Sequence, residues 1–357
     1  MPPKRSKAKP AADHVANAEA DTTVADKEVM PDDVATAADQ PAKGKDTVEE
    51  PAANGDSKKR KQAADSNPPA SQSKKRKADD TTKEPSKASR QSSRNAPKAQ
   101  PSHQQMLNYL LSSAAADMCR PEDEIKDIES RGKDLRTYSH TALTPFEELL
   151  CAIVLSRPIS HRLGLRTIRT ILNAPYGFTS PKAIKSFTPE QRHQAMFDAR
   201  TQHKDKTASQ IGLVADVVAS QFGKDDADTS LDKMRELAHK DWDEERDLLQ
   251  RSVKGLGKTG LDIFFRRVQW AWPEAFPFVD ERTARGIEKL GLPKNPDELY
   301  ALLSEHWGKL DTSGIPKGAD KESAKRRAFV IVCERATGGD LEGKSEAVVE
   351  AAAAAAA

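Results

Sequence analysis

Residues 1–100 contain no Phe, Tyr, Trp, Leu, Ile or Cys. Ala, Lys, Asp, Ser and Pro dominate this part of the chain instead. Burial of apolar surface has to offset the entropy lost when a chain becomes ordered, and this segment has too little apolar surface to do so. We therefore expect a disordered tail over residues 1–101 and a folded domain over residues 102–340. The Ala-rich residues 341–357 are expected to form a disordered C-terminus.

Cysteines and long apolar runs are also scarce. The sequence has three cysteines, Cys119, Cys151 and Cys333, and they lie far apart. Zinc sites, iron–sulfur clusters and disulfide frameworks use closely spaced cysteines, so we interpret all three as reduced, packed side chains. We expect no metal and no cofactor. Neither an apolar signal-peptide core nor a membrane-length apolar run of about 18 residues is present, so we expect no membrane partner.

The charge of the chain changes along the tail. Lys and Arg number 7 against 11 Asp and Glu over residues 1–50, and 13 against 5 over residues 51–100. Two basic clusters, residues 58–61 (KKRK) and residues 74–77 (KKRK), are typical of nuclear-import signals or nucleic-acid contacts. A solvated charge run is the alternative interpretation. We expect a nuclear protein, and because residues 101–357 are nearly neutral, any polyanion must bind a local basic patch.

From about residue 103 onward, apolar residues recur at helical spacing. The clearest segment begins with Thr144 as N-cap, Pro145 in the first turn and Glu147 three residues after the cap. Similar patterns recur up to Val253, and no segment alternates as a strand does. The sequence predicts an all-α fold of about ten helices with short connections.

A glycine-rich stretch, VKGLGKTGLDIFF at residues 253–265, separates two helical patterns. Residues 257–259 (GKT) match the end of the nucleotide-binding pattern G-x-x-x-x-G-K-[ST], but the first glycine of that pattern falls on Ser252. A nucleotide loop also follows a buried strand, whereas this stretch follows a predicted helix. Both differences disfavour a nucleotide site.

A helix, a tight glycine turn and a second helix form a motif that can bind phosphate groups. Gly255 and Gly257 can adopt positive φ and leave the backbone bare, while the second helix presents its N-terminal N–H groups to an anion. Leu256 is expected to point inward between the helices. Such a hairpin binds a nucleic-acid backbone without reading its sequence. The alternative is an ordinary helical hairpin whose glycines only turn the chain.

A second motif follows the hairpin and supports the phosphate-binding interpretation. Val279 and Asp280 open a helix that continues through Arg285 to the sequence LGL at residues 290–292. Together with KGLG at residues 254–257 and TPFEELLCAIVLS at residues 144–156, this order of motifs resembles the helix-hairpin-helix DNA glycosylase superfamily, typified by endonuclease III and the adenine glycosylases. The resemblance covers roughly residues 140–292.

The resemblance implies roles for particular residues. In that superfamily the aspartate is catalytic, and it corresponds to Asp280 here. An aspartate at a helix N-terminus stays ionised and can stabilise the positively charged sugar that forms as a base departs; the alternative role is that of an N-cap alone. The implied DNA contacts come from three places. They are the glycine turn (Gly255 and Gly257), the start of the next helix (Lys258 and Thr259) and three arginines (Arg157, Arg282 and Arg285).

Several residues depart from the pattern of the superfamily. Members that also cleave the strand carry a Schiff-base lysine where this chain has Thr259, so we expect no lyase activity. Many members bind an iron–sulfur cluster through four cysteines after the aspartate, whereas only Cys333 follows Asp280 here. Pro158 stands where the superfamily has a glutamine that fills the place of a flipped base, and Arg157 beside it is a candidate substitute. Arg282 replaces the histidine of the motif.

The resemblance therefore implies a monofunctional DNA N-glycosylase that removes a damaged or mismatched base from double-stranded DNA in base excision repair. We expect a monomer with two helical lobes, one over residues 158–272 and the other joining residues 103–157 to residues 280–340. The alternative is a non-catalytic protein of the same fold that recognises bent or damaged DNA. The sequence does not indicate which base is recognised.

Overall fold

The computed structural model describes residues 100–132, 134–139, 141–315 and 320–355. All of its regular elements over these residues are helical, as the sequence predicts. The predicted tail and its two basic clusters lie outside the described residues. No helix of the described part combines the length and the apolar character that crossing a bilayer requires.

The helices follow one another with short connections. They are α1 (His103–Leu111), α2 (Ser113–Met118), α3 (Glu122–Arg131), α4 (Pro145–Leu155), α5 (His161–Leu172), α6 (Pro181–Lys185), α7 (Pro189–Asp198), α8 (Lys204–Val217), α9 (Asp232–Leu237), α10 (Trp242–Ser252), α11 (Lys258–Val268), α12 (Glu281–Lys289), α13 (Pro296–His306), α14 (Lys321–Leu341) and α15 (Ser345–Ala354). A π-helical turn, Val218–Phe222, extends α8, and two 3₁₀ turns occupy Pro273–Ala275 and Trp307–Lys309.

Local sequence signals set many of the helix starts. Thr144 accepts a hydrogen bond from the N–H of Glu147, and the Glu147 side chain accepts one from the N–H of Thr144, which forms the predicted capping box. The first predicted helix is interrupted at Ser112, because the hydroxyl of Ser112 donates to the carbonyl of Tyr109 and accepts from the N–H of Ala115. These side-chain bonds end α1 and begin α2.

Two hydrophobic clusters form the core. The first is built mainly from α4 to α11 and the second from α1 and α12 to α15. The expectation that residues up to 157 join the second group is wrong for α4, whose apolar residues Leu149, Leu150, Ile153 and Val154 lie in the first cluster. The reason is that α4 packs against α11, α5 and α8, whose apolar residues build the first cluster.

The C-terminus is helical rather than disordered over most of the residues where disorder is predicted. Helix α14 extends to Leu341 and α15 covers Ser345–Ala354. Val348 and Ala352, which are four residues apart and so share one face, are buried in the second cluster. Alanine has the highest helix propensity, and its small side chain allows α15 to lie against α1.

Buried ion pairs also join helices. The side chain of Arg169 in α5 is almost fully buried and donates to three carboxylates of α3: Asp123 at 2.6 Å, Asp127 at 2.9 Å and Glu124 at 3.1 Å. Three acceptors satisfy the guanidinium, so its burial does not leave an uncompensated charge. This contact fixes α3, which has few apolar residues of its own, against the first cluster.

Glu245 of α10 has a buried carboxyl group that forms no ion pair with a described residue. It is fully buried, and its protonated carboxyl group shares a hydrogen bond with the carboxylate of Glu274. Burial, reinforced by the nearby charge of Glu274, raises the pKa of Glu245 to about 8. The folded protein therefore keeps a proton that the unfolded chain releases at its ordinary pKa of 4.5. This difference lowers stability progressively as pH rises from about 4.5 to about 8.

Glu245→Gln should remove this pH dependence, because the amide has the same shape and never ionises. We expect the free energy of unfolding of the variant to exceed that of the wild type at pH 8 and to match it near pH 4.5. Urea denaturation at both pH values measures the difference. Asp247→Asn, an exposed change on the same helix, should have little effect at either pH. An equal gain for Glu245→Gln at both pH values would contradict this interpretation.

Candidate functional site

The glycine stretch forms a tight turn between α10 and α11. Gly255 has φ +85°, in the left-handed region, whereas Gly257 has φ −94° and ψ −175°. Leu256 points inward as predicted and is only 2% exposed. The Gln210 side-chain amide donates to the carbonyl of Lys254 at 2.9 Å and holds the turn against α8. Positive φ is therefore required at Gly255 but not at Gly257.

The start of α11 presents free backbone donors. Gly257 is the N-cap residue and has no side chain to accept a hydrogen bond, and the first intrahelical bond runs from the N–H of Leu261 to the carbonyl of Gly257. Within the described part of the chain, the N–H groups of Lys258 and Thr259 have no acceptor. Both residues are exposed. This helix N-terminus can therefore bind an anion.

Asp280 is the N-cap of α12, and donors surround its carboxylate. Oδ1 accepts from the N–H groups of Arg282 at 3.0 Å and Thr283 at 3.2 Å. Oδ2 accepts from the Thr283 hydroxyl at 2.6 Å and from Nη1 of Arg266 at 2.8 Å. The side chain is only 5% exposed. These four bonds fill the usual acceptor positions of a carboxylate.

The same contacts keep Asp280 ionised. Burial alone would raise the pKa of its carboxyl group, but the charge of Arg266 and the hydrogen bonds from Thr283 and Arg266 outweigh burial. The net result is a pKa below the ordinary value of an aspartate. Asp280 therefore carries a negative charge at neutral pH.

Arg266, which the motif comparison did not single out, organises this site. It lies in α11, is almost fully buried and bridges two carboxylates, donating from Nη1 to Asp280 and from Nε to Oε1 of Glu334 at 2.6 Å. The sequence does hold a signal for it: Arg266 and Arg267 interrupt the apolar run of α11. Arg267 is also buried and pairs with Glu148 of α4 at 2.9 Å. Charged residues at core positions indicate buried ion pairs.

One cleft brings most of the candidate residues together. It has a volume of about 460 Å³, and its lining includes Lys258, Thr259, Asp280, Arg282 and Arg285. The first residue of α5, His161, also lines the cleft. Three helix N-termini, those of α5, α11 and α12, therefore face the same space. The partial positive charge of α11 is free to act on a ligand, because α11 has no side-chain cap, whereas Ser160 caps α5 and the charge of Asp280 offsets that of α12.

The remaining candidates lie elsewhere. Gly255 and Gly257 occupy the exposed turn just before the cleft-lining residues of α11. Arg157 does not line the cleft: it is half-buried, and its Nε and Nη2 have no partner among the described residues. Burial lowers its pKa. Its proposed role beside DNA is therefore not supported by its position.

Two exposed cations of the cleft, Lys258 and Arg285, have carboxylate partners. Nζ of Lys258 lies 2.7 Å from Asp262 one turn along α11, and Arg285 lies 3.7 Å from Glu281. Lys258 is 77% exposed, so its ion pair is screened by solvent and can exchange for another anion at little cost. Arg282 has an exposed side chain at the mouth of the cleft.

Comparisons of this chain with protein-family models, with curated proteins and with solved structures found no match. Among the described residues, no group of three His, Cys, Asp or Glu side chains could hold a metal ion. The function is therefore inferred from the geometry and charges of the cleft.

The two glycines of the turn should respond differently to substitution. Gly255→Ala places a Cβ in the left-handed region and 2.9 Å from Nε2 of Gln210, so we expect the free energy of unfolding to fall by about 1–2 kcal/mol. Gly257→Ser meets no heavy atom within 4 Å and supplies an N-cap hydroxyl, so stability should be unchanged or rise by up to about 1 kcal/mol. Chemical denaturation measures both changes. Equal losses would contradict the assigned backbone roles.

Thr283→Val should raise the pKa of Asp280, because it removes the hydroxyl donor to Oδ2 while keeping the shape of the side chain. The titration of the Asp280 carboxyl carbon, followed by NMR with carboxyl-labelled aspartate, measures this shift. Thr337→Val is a matched control: the Thr337 hydroxyl lies 2.9 Å from that of Thr283 and donates to Cys333, without bonding to Asp280. A shift as large in Thr337→Val would show that the hydroxyl of Thr283 is not the direct cause.

Proposed function

We propose that this chain is a monofunctional DNA N-glycosylase that hydrolyses the N-glycosidic bond of a damaged or mismatched base in duplex DNA. One observation carries the proposal: the ionised carboxylate of Asp280 lines the same cleft as the uncapped N-terminus of α11. A phosphate bound at Lys258 and Thr259 would bring the attached sugar toward Asp280. This arrangement agrees with the motif order that the sequence shares with the helix-hairpin-helix glycosylases.

In the proposed reaction, backbone groups hold the DNA and Asp280 acts on the sugar. The free N–H groups of α11 bind a phosphate without reading sequence, and Arg282 and Arg285 add positive charge at the mouth of the cleft. The target nucleotide leaves the duplex and its base enters the cleft, whose volume suits a small ligand. The negative charge of Asp280 then stabilises the positive charge that develops on the sugar as the base leaves. A water molecule adds to the sugar carbon, and its proton passes to the departing base.

The hydrogen bonding of Asp280 limits which step it performs. Its four acceptor positions are occupied, so it has no free lone pair with which to take a proton from water. Charge stabilisation needs no free lone pair, although the nearby Arg266 cation weakens the field of the carboxylate. Thr259 stands where a Schiff-base lysine would have to be, so the proposed activity ends at the abasic site.

A second candidate function is a non-catalytic protein that recognises bent or damaged DNA. The observation that favours it is the same saturated, 5% exposed carboxylate, which as an N-cap paired with Arg266 already has a structural role. The hairpin and the arginines would then bind DNA alone. A nuclear location for either function rests on the basic clusters of the tail and stays a prediction.

Asp280→Asn separates the two candidates, because the asparagine oxygen keeps the N-cap bonds while the negative charge and the bond from Arg266 are lost. With duplexes that carry single damaged or mismatched bases, followed by alkali to cleave abasic sites, we expect base release to fall by about 10²–10³-fold while DNA binding persists. Asp241→Asn, which changes the exposed N-cap of α10, should leave release unchanged. Gly257→Ser should instead weaken binding, since its hydroxyl would occupy the free N–H groups.

The outcomes are distinct. Asp280-dependent release supports the glycosylase, and binding without release from any substrate supports the recognition protein. Release unaffected by Asp280→Asn would refute the proposed role of this residue. Strand breaks that appear before alkali treatment would refute the monofunctional assignment.

A further inference from the structure

Glu334 presents an unused hydrogen-bond acceptor to the cleft. It lies in α14, lines the cleft, and its side chain is 11% exposed. Oε1 accepts from Nε of Arg266 at 2.6 Å and from the Tyr138 hydroxyl at 3.3 Å. Oε2 has no hydrogen-bond partner among the described residues, although the carboxylate is held in place through Oε1.

The position of Glu334 relative to Asp280 is fixed by one side chain. Arg266 donates to both carboxylates, to Asp280 through Nη1 and to Glu334 through Nε. A planar guanidinium holds two such partners side by side. If Asp280 faces the sugar of a nucleotide, the neighbouring Glu334 is placed to face the attached base.

The surroundings make the free acceptor selective. Leu155, Ile159, Leu165 and Ile263 supply apolar lining to the cleft, and burial of a base against them would displace water from Oε2. An ionised carboxylate accepts hydrogen bonds and donates none. A base without a suitably placed N–H group would therefore leave a desolvated, unsatisfied oxygen, which costs about 1–3 kcal/mol.

We infer that Glu334 selects nucleobases that carry an exocyclic amino group over their oxo counterparts. An amino group of adenine, cytosine or guanine type donates to Oε2, whereas a carbonyl oxygen at the same position is repelled by the carboxylate. This inference rests on the proposed function and adds to it the chemical class of the substrate. Asp280 acts on the sugar, and Glu334 discriminates between bases.

Pairs of substrates that exchange an amino group for an oxo group test the inference. Duplexes of identical sequence carry 5-hydroxycytosine or 5-hydroxyuracil, and adenine or hypoxanthine; the second member of each pair has an oxo group in place of the amino group and an N–H in place of the adjacent bare ring nitrogen. One or both pairs are expected to be substrates for base release. In such a pair, we expect the wild type to release the amino base about 10- to 100-fold faster than the oxo base, which is the ratio that the cost of an unsatisfied buried acceptor implies. Glu334→Gln offers a donor as well as an acceptor and should reduce that ratio to about threefold or less.

Two controls keep the outcomes separate. Glu322→Gln, an exposed change on the same helix that contacts Lys325 and Tyr300 rather than the cleft, should leave the ratio unchanged. Binding of the same pairs by Asp280→Asn reports the preference independently of base release. If Glu334→Gln fails to fold, the wild-type ratio in both assays still decides the outcome.

The inference and the proposed function fail in different ways. Asp280-dependent release in which the oxo members are removed equally fast or faster would overturn the role of Glu334 and leave the glycosylase proposal intact. A ratio that Glu334→Gln does not change would do the same. Absence of release from every substrate would overturn the proposed activity, and the binding preference of Asp280→Asn would then support or refute the selectivity of Glu334.

Discussion

The buried guanidinium of Arg266 is the interaction on which the candidate site depends. It belongs to α11 of the first hydrophobic cluster and binds Asp280 at the start of α12 and Glu334 in α14, both of which flank the second cluster. A buried cation is tolerated only when its partners are in place, and loss of one partner typically costs about 3–5 kcal/mol. The two clusters are therefore held in one relative arrangement by the same contact that fixes both carboxylates of the cleft.

Local sequence signals predict much of this architecture. The capping box at Thr144, the inward position of Leu256 and the N-cap role of Asp280 each depend on residues within a few positions of one another, and the structure confirms them. The helical periodicity likewise predicts an all-α domain. Short-range hydrogen bonding and burial periodicity are encoded in neighbouring residues, so a single sequence is enough to recognise them.

The features that the sequence does not predict depend on contacts between distant residues. Whether Arg266 faces solvent or the core is decided by Glu334, 68 residues further along the chain. The assignment of α4 to the first cluster depends on its packing against α11, α5 and α8, and α15 is ordered because α1 offers it a surface. At Gly257 the sequence suggests a conformational requirement that the structure does not have. The backbone of Gly257 is extended and suits any residue, so its conformation does not require a glycine.

The proposed function requires a nearly neutral domain to bind a polyanion through the electrostatics of the cleft. Two of its exposed cations, Lys258 and Arg285, are paired with carboxylates, but the uncapped N-terminus of α11 contributes a partial charge that no count of side chains includes. Backbone dipoles are fixed in direction, and they are screened less than exposed lysines where the cleft excludes water. Phosphate binding would then depend mainly on rigid peptide groups. The carboxylates of Asp280 and Glu334 would not be needed for phosphate binding and could act on the sugar and the base. Asp280 and Glu334 differ in this respect: every acceptor position of the first is occupied, so it can act only through its charge, whereas the second retains one oxygen that can form a directional bond. A cleft with one saturated and one unsaturated carboxylate is therefore suited to stabilise a charge at one point and to recognise a hydrogen-bond donor at the next.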